Sequence, residues 1–520
     1  MTDHRGALLP VRHWPPLLVV VLALVVGARG STTLPLDEHE TFVVQTAQEM
    51  RERGDWLVPH FLGRPRLMKP PLSYWMVGAV AEATGSPRVA PWQGRAPSIL
   101  AGAGIVGLTM LLASRMLDPR TGLVAGLVAV SSLGFFRYAH SARPDMLYAF
   151  WCTAALAAFI SAARAAPPGP RITPFVMWTA LALATLTKGP QFPLLMLGAA
   201  LVVGHARGWT RRDVCRVLRP VAGAALFLLL TVPWWLAVHY ALGGNGIRGT
   251  QLAGSLMIPT WHRFFHPYYF YRPLELVLPA VVVAVAAVPR WWPRGSGDAT
   301  RLFATFVAVP AIGFSLGLQQ RPHYMLPAFA PMCILVALGL RGVVTGLARP
   351  NVGRALVAAW GLMMALEFAL AGSPRTWSRE RFVVSDLGTL AGRSFPPAVP
   401  LFALDQDVGV PSYYAGRVVR RAGSVRAIVD TLDDGHPEGI GLLAPRSALA
   451  RLPASLDVRV IGGGTPKPGR ELVWARVQRR ETTTSGPLPA DAARTGGDRP
   501  AARLDRHGPA GLQAAAPARA

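Results

Sequence analysis

The chain has 520 residues, of which 51% are hydrophobic and only 16% are charged. This composition is too apolar for a soluble protein of that length and indicates a membrane protein with many spans. The formal net charge of +25 would suggest nucleic-acid binding in a soluble chain. Here the arginines recur in short breaks between apolar segments, as the positive-inside rule expects, so we expect no nucleic-acid partner. The three cysteines lack the spacing of a disulfide framework or a zinc motif.

The first apolar segment runs from about 15 to 26 and follows Arg5 and Arg12. It is short for a span, which needs about 20 residues. Two interpretations stay open, a retained first span and a cleaved signal peptide with small residues at 27 to 30. Both place the segment that follows on the extracytoplasmic side.

The segment 37 to 75 holds the densest group of candidate catalytic side chains. It opens with an acidic pair, Asp37 and Glu38, and a helical pattern follows that Gly54 ends. This helix has one apolar face and could lie along a membrane surface. The apolar face consists of Val43, Ala47 and Met50.

Lys69 precedes two prolines in the sequence KPPLSYW. The prolines favour an extended backbone at Lys69 and a new helix from Pro71 onward. A lysine at the start of a helix suits a phosphate group, and the prolines leave more of that binding to the ammonium because they lack backbone donors. The alternative is a lysine whose aliphatic stem lies along the membrane interface.

The acidic pair, the helix ending in Met-(x)3-GDW and the KPPLSYW motif together resemble the first extracytoplasmic loop of glycosyltransferase family 39. The resemblance covers about 14 to 345 and is strongest over 37 to 75 and 135 to 150. This family includes protein O-mannosyltransferases and lipid A aminoarabinose transferases. It implies a GT-C fold, a polyprenyl-phosphate sugar as donor, and a lipid, glycan or protein as acceptor.

About eleven apolar spans are expected, and the arginine-rich loops alternate between them, which puts those loops in the cytoplasm. The remaining loops then face outside together. The spans after the first are expected at 97–114, 121–136, 146–163, 173–187, 190–206, 219–240, 274–290, 302–318, 325–345 and 351–371. The arginine-rich loops are 115–120, 164–171, 207–219, 290–301 and 341–354.

The second outward loop reads RYAHSARPDM and places Arg143 and Asp145 at the mouth of the next span. A carboxylate so close to hydrocarbon is costly unless it is paired or functional. One interpretation is an ion pair between these two residues at the membrane interface. The family resemblance implies instead that Asp145 is a second active-site acid, which Arg143 orients.

Three further outward loops carry candidate substrate contacts. Lys188, in the turn TKGP, is interpreted as a structural anchor or a second phosphate contact. The loop 241–273 ends in WHRFFHPYYFYRP, whose aromatic rings form an interfacial belt or a stacking surface for a sugar or a lipid tail. The candidates in this loop are His266 and Tyr269. The third loop, QQRPHYMLP at 319–327, carries Arg321, His323 and Tyr324.

After residue 372 the pattern changes to short alternating apolar runs with a helix among them, which indicates a small α/β domain. We therefore divide the chain into a transmembrane catalytic domain (1–372, with its first outer loop at 37–96), an extracytoplasmic domain (373–480) and a disordered tail (481–520). The motif PSYYAGR at 411–417 resembles one in the outer domains of family members.

These residues predict an inverting transfer in which Asp37 is the base that removes the acceptor proton, while Lys69 binds the donor phosphate with Arg321 or Lys188 as helpers. Met68 stands where many bacterial relatives carry a Glu that contributes to a metal site in some of them. No metal ligand is therefore expected, and a divalent metal ion stays an alternative. The predicted location is the inner membrane, with the active site outside. A transporter or flippase of lipid-linked sugars, or a non-catalytic scaffold, is the alternative; a transporter would place its polar groups at mid-membrane.

Overall fold

The computed structural model describes residues 14–165, 172–244, 268–282, 297–316, 321–346, 361–366, 368–370, 378–433, 435–436 and 438–480. Most of the described chain is helical. The helices up to residue 346 are α1 (Trp14–Ala28), α2 (Glu38–Arg53), α3 (Leu72–Ala83), α4 (Pro91–Met116), α5 (Pro119–Val130), α6 (Leu133–Ala139), α7 (Pro144–Arg164), α8 (Thr173–Lys188), α9 (Gln191–Ala206), α10 (Arg211–Leu218), α11 (Pro220–Ala241), α12 (Tyr268–Tyr271), α13 (Gly297–Ser315) and α14 (Phe329–Gly346).

Within these ranges, four helical segments are long and apolar enough to cross a membrane, or five if one bent pair counts as a single span. Shorter apolar helices, among them α1 and α9, accompany them. The chain is thus a multi-pass membrane protein, and the count of eleven spans stays a prediction. The four segments are Pro91–Met116, Pro144–Arg164, Arg211–Ala241 and Pro322–Leu340.

Two predicted spans differ from the structure in form. The span expected at 121–136 is a bent pair, α5 and α6, whose axes differ by 54°. Ser132 starts the second helix by accepting the N–H of Phe135, which separates it from the first. The span expected from 274 begins instead with a 3-10 helix, Arg272–Val277, and residues 283–290 lie outside the described ranges.

The membrane core is built around α4, α5, α7 and α8. Helix α1 packs against α4 with Val19, Ala23 and Val26 buried. Small residues let the helices approach closely, as is common between membrane helices. At Gly126 of α5, an added Cβ would lie 2.3 Å from the Met110 side chain of α4.

The first loop consists of α2, a tight hairpin and α3. Gly54 ends α2 with a left-handed backbone (φ 65°), as the sequence predicts. The strands β1 (His60–Phe61) and β2 (Arg64–Pro65) flank the hairpin turn at Leu62 and Gly63. The apolar face of α2 is buried against Tyr74 and Val77 of α3, so protein covers this face.

Residues 379–479 contain the elements α15 (Arg379–Ser394), β3 (Leu401–Leu404), α16 (Gly409–Ala415), β4 (Val419–Ala422), α17 (Val425–Asp433), β5 (Ile440–Pro445), α18 (Arg446–Leu449), β6 (Leu456–Lys467) and β7 (Arg470–Arg479). The five strands form a mixed sheet with the order β4-β3-β5-β7-β6. Strand β3 pairs in parallel with β4 and β5, and β7 pairs antiparallel with β5 and β6. This is the α/β architecture expected after residue 372, while the predicted domain boundaries stay predictions.

Candidate active site

Asp37 is the N-cap of α2, and both of its carboxylate oxygens are engaged. Oδ1 accepts the backbone N–H of Glu40 at 2.8 Å, and the Glu40 side chain accepts the N–H of Asp37 at 3.0 Å in return. Oδ2 accepts hydrogen bonds from Arg143 at 3.0 Å and from Arg381 at 2.9 Å. The carboxylate is therefore held from three directions.

Arg143 and Asp145 do not pair with each other as the interfacial ion-pair interpretation supposed. Arg143 precedes α7 and donates to Asp37, whereas Asp145 forms an ion pair with Lys188, the last residue of α8. The start of α7 is also fixed to the next turn, because the Tyr148 hydroxyl donates to the Gly189 carbonyl at 3.0 Å. Asp145 is only 6% exposed, so the ammonium of Lys188 compensates a buried charge.

Lys69 is brought to the same place by its neighbour Leu67. The Leu67 side chain is buried against Leu186 of α8 and Trp234 of α11, and the Trp234 indole N–H donates to the carbonyl of Leu57 at 3.0 Å. Since Leu186 lies two residues before Lys188, this packing sets the two lysines beside each other. Both lysine charges and the Asp145 charge act on one another electrostatically.

The segment from 321 to 324 closes the cluster from another side. The backbone N–H of Arg321 donates to the Tyr269 hydroxyl at 3.0 Å, and Tyr269 itself is 2% exposed. Tyr269 therefore supports the loop from within. The Lys188 ammonium lies 5.2 Å from the Tyr324 ring centroid, and the His323 ring is next to Tyr324 at 5.0 Å.

The surroundings of Asp37 and Lys69, the candidate base and the candidate phosphate ligand, act differently on their pKa values. Burial alone would raise the pKa of Asp37, but Arg143 and Arg381 outweigh it, so the pKa is lowered and the carboxylate is ionised at neutral pH. Burial, followed by the positive charge of Lys188, lowers the pKa of Lys69 to about 7. An anion placed between the two lysines would relieve their repulsion. The cluster therefore has the charge expected of a phosphate site.

Glu38 is exposed and lines a cavity of about 550 Å³ between the start of α2 and residues 378–472. This volume lies within the range of small-molecule sites, about 300–1,000 Å³. Burial, followed by the negative charge of Glu38, raises the pKa of Asp407 in the cavity wall. Asp37 and Arg381 also border the cavity, which therefore adjoins the candidate base.

Sequence reasoning missed three residues around Asp37. Arg381 was not singled out because its distance along the chain gives no local signal. Glu40 is 0% exposed and pairs with the equally buried Arg95 of α4 at 2.8 Å. His39 is largely exposed to solvent, but the part of its ring that protein covers is desolvated. This desolvation and, after it, the charge of Arg143 lower the pKa of His39, so the imidazole is neutral at pH 7. The sequence DEHE at 37–40 could have pointed to Glu40 and His39, since it places four titratable residues side by side.

The sequence also singled out His266 and Met68. His266 lies outside the described residues. Met68 is 46% exposed, and a thioether is a poor ligand for hard divalent cations. Among the described residues, no group of three or more His, Cys, Asp or Glu side chains could hold a metal ion. The residues present around Lys69 therefore do not fit a metal centre.

Comparison with known proteins adds the family context. Residues 68–236 match the family model described as dolichyl-phosphate-mannose-protein mannosyltransferase. The chain is 31% identical over 333 residues to an undecaprenyl phosphate-alpha-4-amino-4-deoxy-L-arabinose arabinosyl transferase of Pseudomonas paraeruginosa, covering 59% of this chain and 57% of the relative. An arabinosyl transferase of the same name from Erwinia tasmaniensis is 28% identical, covering 64% and 61%. The matched region thus spans less than two thirds of these relatives.

The fold is similar to the crystal structure of ArnT from Cupriavidus metallidurans in the apo state. The TM-score is 0.68 at 19% identity, covering 88% of this chain and 97% of that one. ArnT bound to undecaprenyl phosphate gives the same values. At this identity the likeness concerns the fold alone. Together with the sequence matches, it shows that the chain is similar to enzymes of glycosyltransferase family 39 and has the GT-C fold.

Proposed function

We propose that this protein is a membrane glycosyltransferase that moves a sugar from a polyprenyl-phosphate donor to a hydroxyl or phosphate group of an envelope acceptor. One observation carries the proposal: Lys69 and Lys188 lie beside Asp145, and Arg143 connects this group to Asp37. Arg143 links the two parts of the cluster, since it donates to Asp37 and also acts on the charge of Asp145.

In this reaction the donor phosphate is the leaving group and gains negative charge as the bond to the sugar breaks. Lys69 stabilises that charge, with Lys188 and Arg321 nearby. Asp37 accepts the proton of the attacking hydroxyl and so acts as general base. Its lowered pKa makes it a weak base, so the proton moves as the new C–O bond forms. Direct displacement of this kind inverts the anomeric configuration.

The names of the similar proteins suggest the first donor to test, an undecaprenyl-phosphate-linked aminoarabinose. The proposed site faces outside the inner membrane, because the arginine-rich loops lie at the other ends of the spans. The acceptor is left open among lipid, glycan and protein.

The first experiment measures transfer of label from that radiolabelled donor to an envelope fraction by the protein in reconstituted membranes. We expect Asp37→Asn and Lys69→Ala to reduce transfer by about 10²-fold or more, as loss of a base or of an electrostatic donor does. Arg64→Ala is the matched control, since it removes an exposed cation from the same loop. It should leave transfer unchanged.

Two outcomes would contradict the proposal. If Asp37→Asn and Lys69→Ala are folded and as active as the wild type, the assigned site is wrong. If the wild type transfers no sugar from any polyprenyl-phosphate donor, a flippase of lipid-linked sugars or a scaffold becomes the better explanation.

A further inference from the structure

Arg381 connects the C-terminal sheet domain to the residues that open the first loop. It lies in the first turn of α15, and its two terminal nitrogens reach two different carboxylates. Nη2 lies 2.9 Å from Asp37 Oδ2, and Nη1 lies 2.9 Å from Glu40 Oε2. The Arg381 side chain is 24% exposed and that of Glu40 is 0% exposed, so water screens these contacts less than those of a surface ion pair.

The chemistry of these contacts is specific to a guanidinium. Its planar donors can hold two carboxylates at once in a fixed geometry, whereas a lysine ammonium acts as a point charge. Asp37 Oδ1 already accepts from the backbone of α2, and Oδ2 is shared with Arg143. Arg381 is therefore the third support, and the one that comes from the C-terminal domain.

The C-terminal domain is docked closely enough to keep this contact in place. The Tyr414 hydroxyl accepts the N–H of Leu36, the residue before Asp37, at 2.9 Å. The neighbouring Tyr413 hydroxyl donates to the carbonyl of Val89 at 2.7 Å. At Gly409 of α16, an added Cβ would lie 2.6 Å from the Thr41 hydroxyl of α2. These contacts fix the distance between α2 and the domain.

We propose that Arg381 is a positioning residue for the transfer reaction: it fixes the carboxylate of Asp37 in one orientation, so that the C-terminal domain completes the active site. This inference rests on the proposed function. The domain is then a part of the catalytic machinery that acts through Asp37, and it is required even when the membrane helices are intact.

The charged groups around Asp37 determine how its ionisation responds to a substitution. Arg143 comes from the start of α7, Arg381 from α15 and His39 from α2 itself, and Arg95 of α4 lies behind Glu40. Removal of Arg381 leaves Arg143 as the principal cation beside Asp37. The pKa of Asp37 then rises, so the carboxylate is protonated at a higher pH than in the wild type.

The test compares Arg381→Ala, Arg381→Lys and Arg379→Ala in the full-length protein, reconstituted with the donor used above. Arg379 is the matched control, since it lines the same cavity and forms no ion pair with Asp37 in the described part of the chain. For Arg381→Ala we expect kcat to fall about tenfold or more, with KM for the donor unchanged and the acid limb of the pH–rate profile moved to higher pH. Arg381→Lys should restore part of kcat.

A purely structural role would lower the amount of folded protein without moving the acid limb. An unmoved acid limb with unchanged kcat, or an equal loss in Arg379→Ala, would overturn the inference.

A second measurement does not depend on activity. In a double-mutant cycle, the apparent unfolding temperature is measured for Asp37→Asn, for Arg381→Ala and for the double variant. The decrease in the double variant should be smaller than the sum of the decreases in the two single variants. Additive losses would overturn the inference even in an active enzyme. An inactive wild type would contradict the proposed function, and the cycle would still decide whether the two residues are coupled.

Discussion

Lys69 shows how a side chain acquires its properties from residues far away in sequence. The KPP motif places a cation at the start of α3, but burial and the neighbouring Lys188 lower its pKa to about 7. A lysine with that pKa is about half protonated near neutral pH. Its charge, and with it the affinity for an anion, then depends on pH in the physiological range.

We expect donor affinity to decrease as pH rises above 7. Below the pKa of about 7 the free lysine already carries its proton, so affinity is flat there. Above it, binding requires uptake of a proton, and the dissociation constant rises by up to about tenfold per pH unit. The measurement is binding of a polyprenyl-phosphate sugar to detergent-solubilised protein between pH 6 and 9. A phosphodiester is used because it does not titrate in this range.

Lys69→Arg is the control, since a guanidinium stays charged throughout. Its affinity should be flat over the same pH range. An equally steep curve in this variant would assign the pH dependence to another group.

At the scale of elements, α2 is anchored to the membrane helices by a buried ion pair. Arg95 of α4 makes a bidentate contact with Glu40, at 2.8 and 2.9 Å, and also donates to the carbonyl of Leu34 at 2.6 Å. Glu40 Oε1, which accepts from Arg95 Nε, also accepts the N–H of Ala142 at 2.8 Å, and Oε2 also accepts from Arg381 at 2.9 Å and from the N–H of Asp37 at 3.0 Å. Four residues thus donate to one carboxylate, and three of them, Arg95, Ala142 and Arg381, come from other parts of the chain.

Glu40→Leu should destabilise the protein by about 3–5 kcal/mol, because it leaves the buried Arg95 without a counter-charge. The apparent unfolding temperature in detergent measures this effect. Glu38→Leu is matched in chemistry and lies on the same helix, but Glu38 is exposed, so its unfolding temperature should change little. Equal shifts in the two variants would mean that the Arg95 contact contributes nothing measurable.

At the scale of the whole molecule, the direction in which the helices are inserted into the membrane is predicted from the charges of the loops. Cys215 is exposed in α10, between Arg212 and Arg216, in a loop predicted to be cytoplasmic. Cys152 and Cys333 are buried at 0% exposure and provide a low background. Lys467 on the C-terminal sheet has a side chain that is 57% exposed.

A membrane-impermeant maleimide added to spheroplasts should therefore label Lys467→Cys and spare Cys215. Cys215 should react only after the membrane is permeabilised, because the positive-inside rule retains its loop in the cytoplasm. Cys215→Ser, with Lys467 unchanged, gives the background signal. Labelling of Cys215 from outside would reverse the predicted orientation and place the proposed site on the cytoplasmic face.

The sequence by itself determined the features that depend on local pattern. Apolar segment length and arginine distribution predicted a multi-pass helical protein. The motifs around Asp37 and KPP predicted the resemblance to glycosyltransferase family 39, which the comparisons confirm. The end of α2 at Gly54 and the sheet after residue 372 were likewise predicted, since left-handed glycine and strand alternation are properties of neighbouring residues. The breaks at Ser132 and at 272–277 were missed, because apolar content gives little indication of a bend.

Only the tertiary structure decided which charges meet. The sequence suggested Arg143 with Asp145, the nearest opposite charge, whereas the structure pairs Arg143 with Asp37 and Asp145 with Lys188. Arg381, which lies 344 positions from Asp37, could not be found from the sequence of one chain. The physical reason is that an ion pair depends on distance in space, and that distance is set by how α2, α7, α8 and α15 pack together.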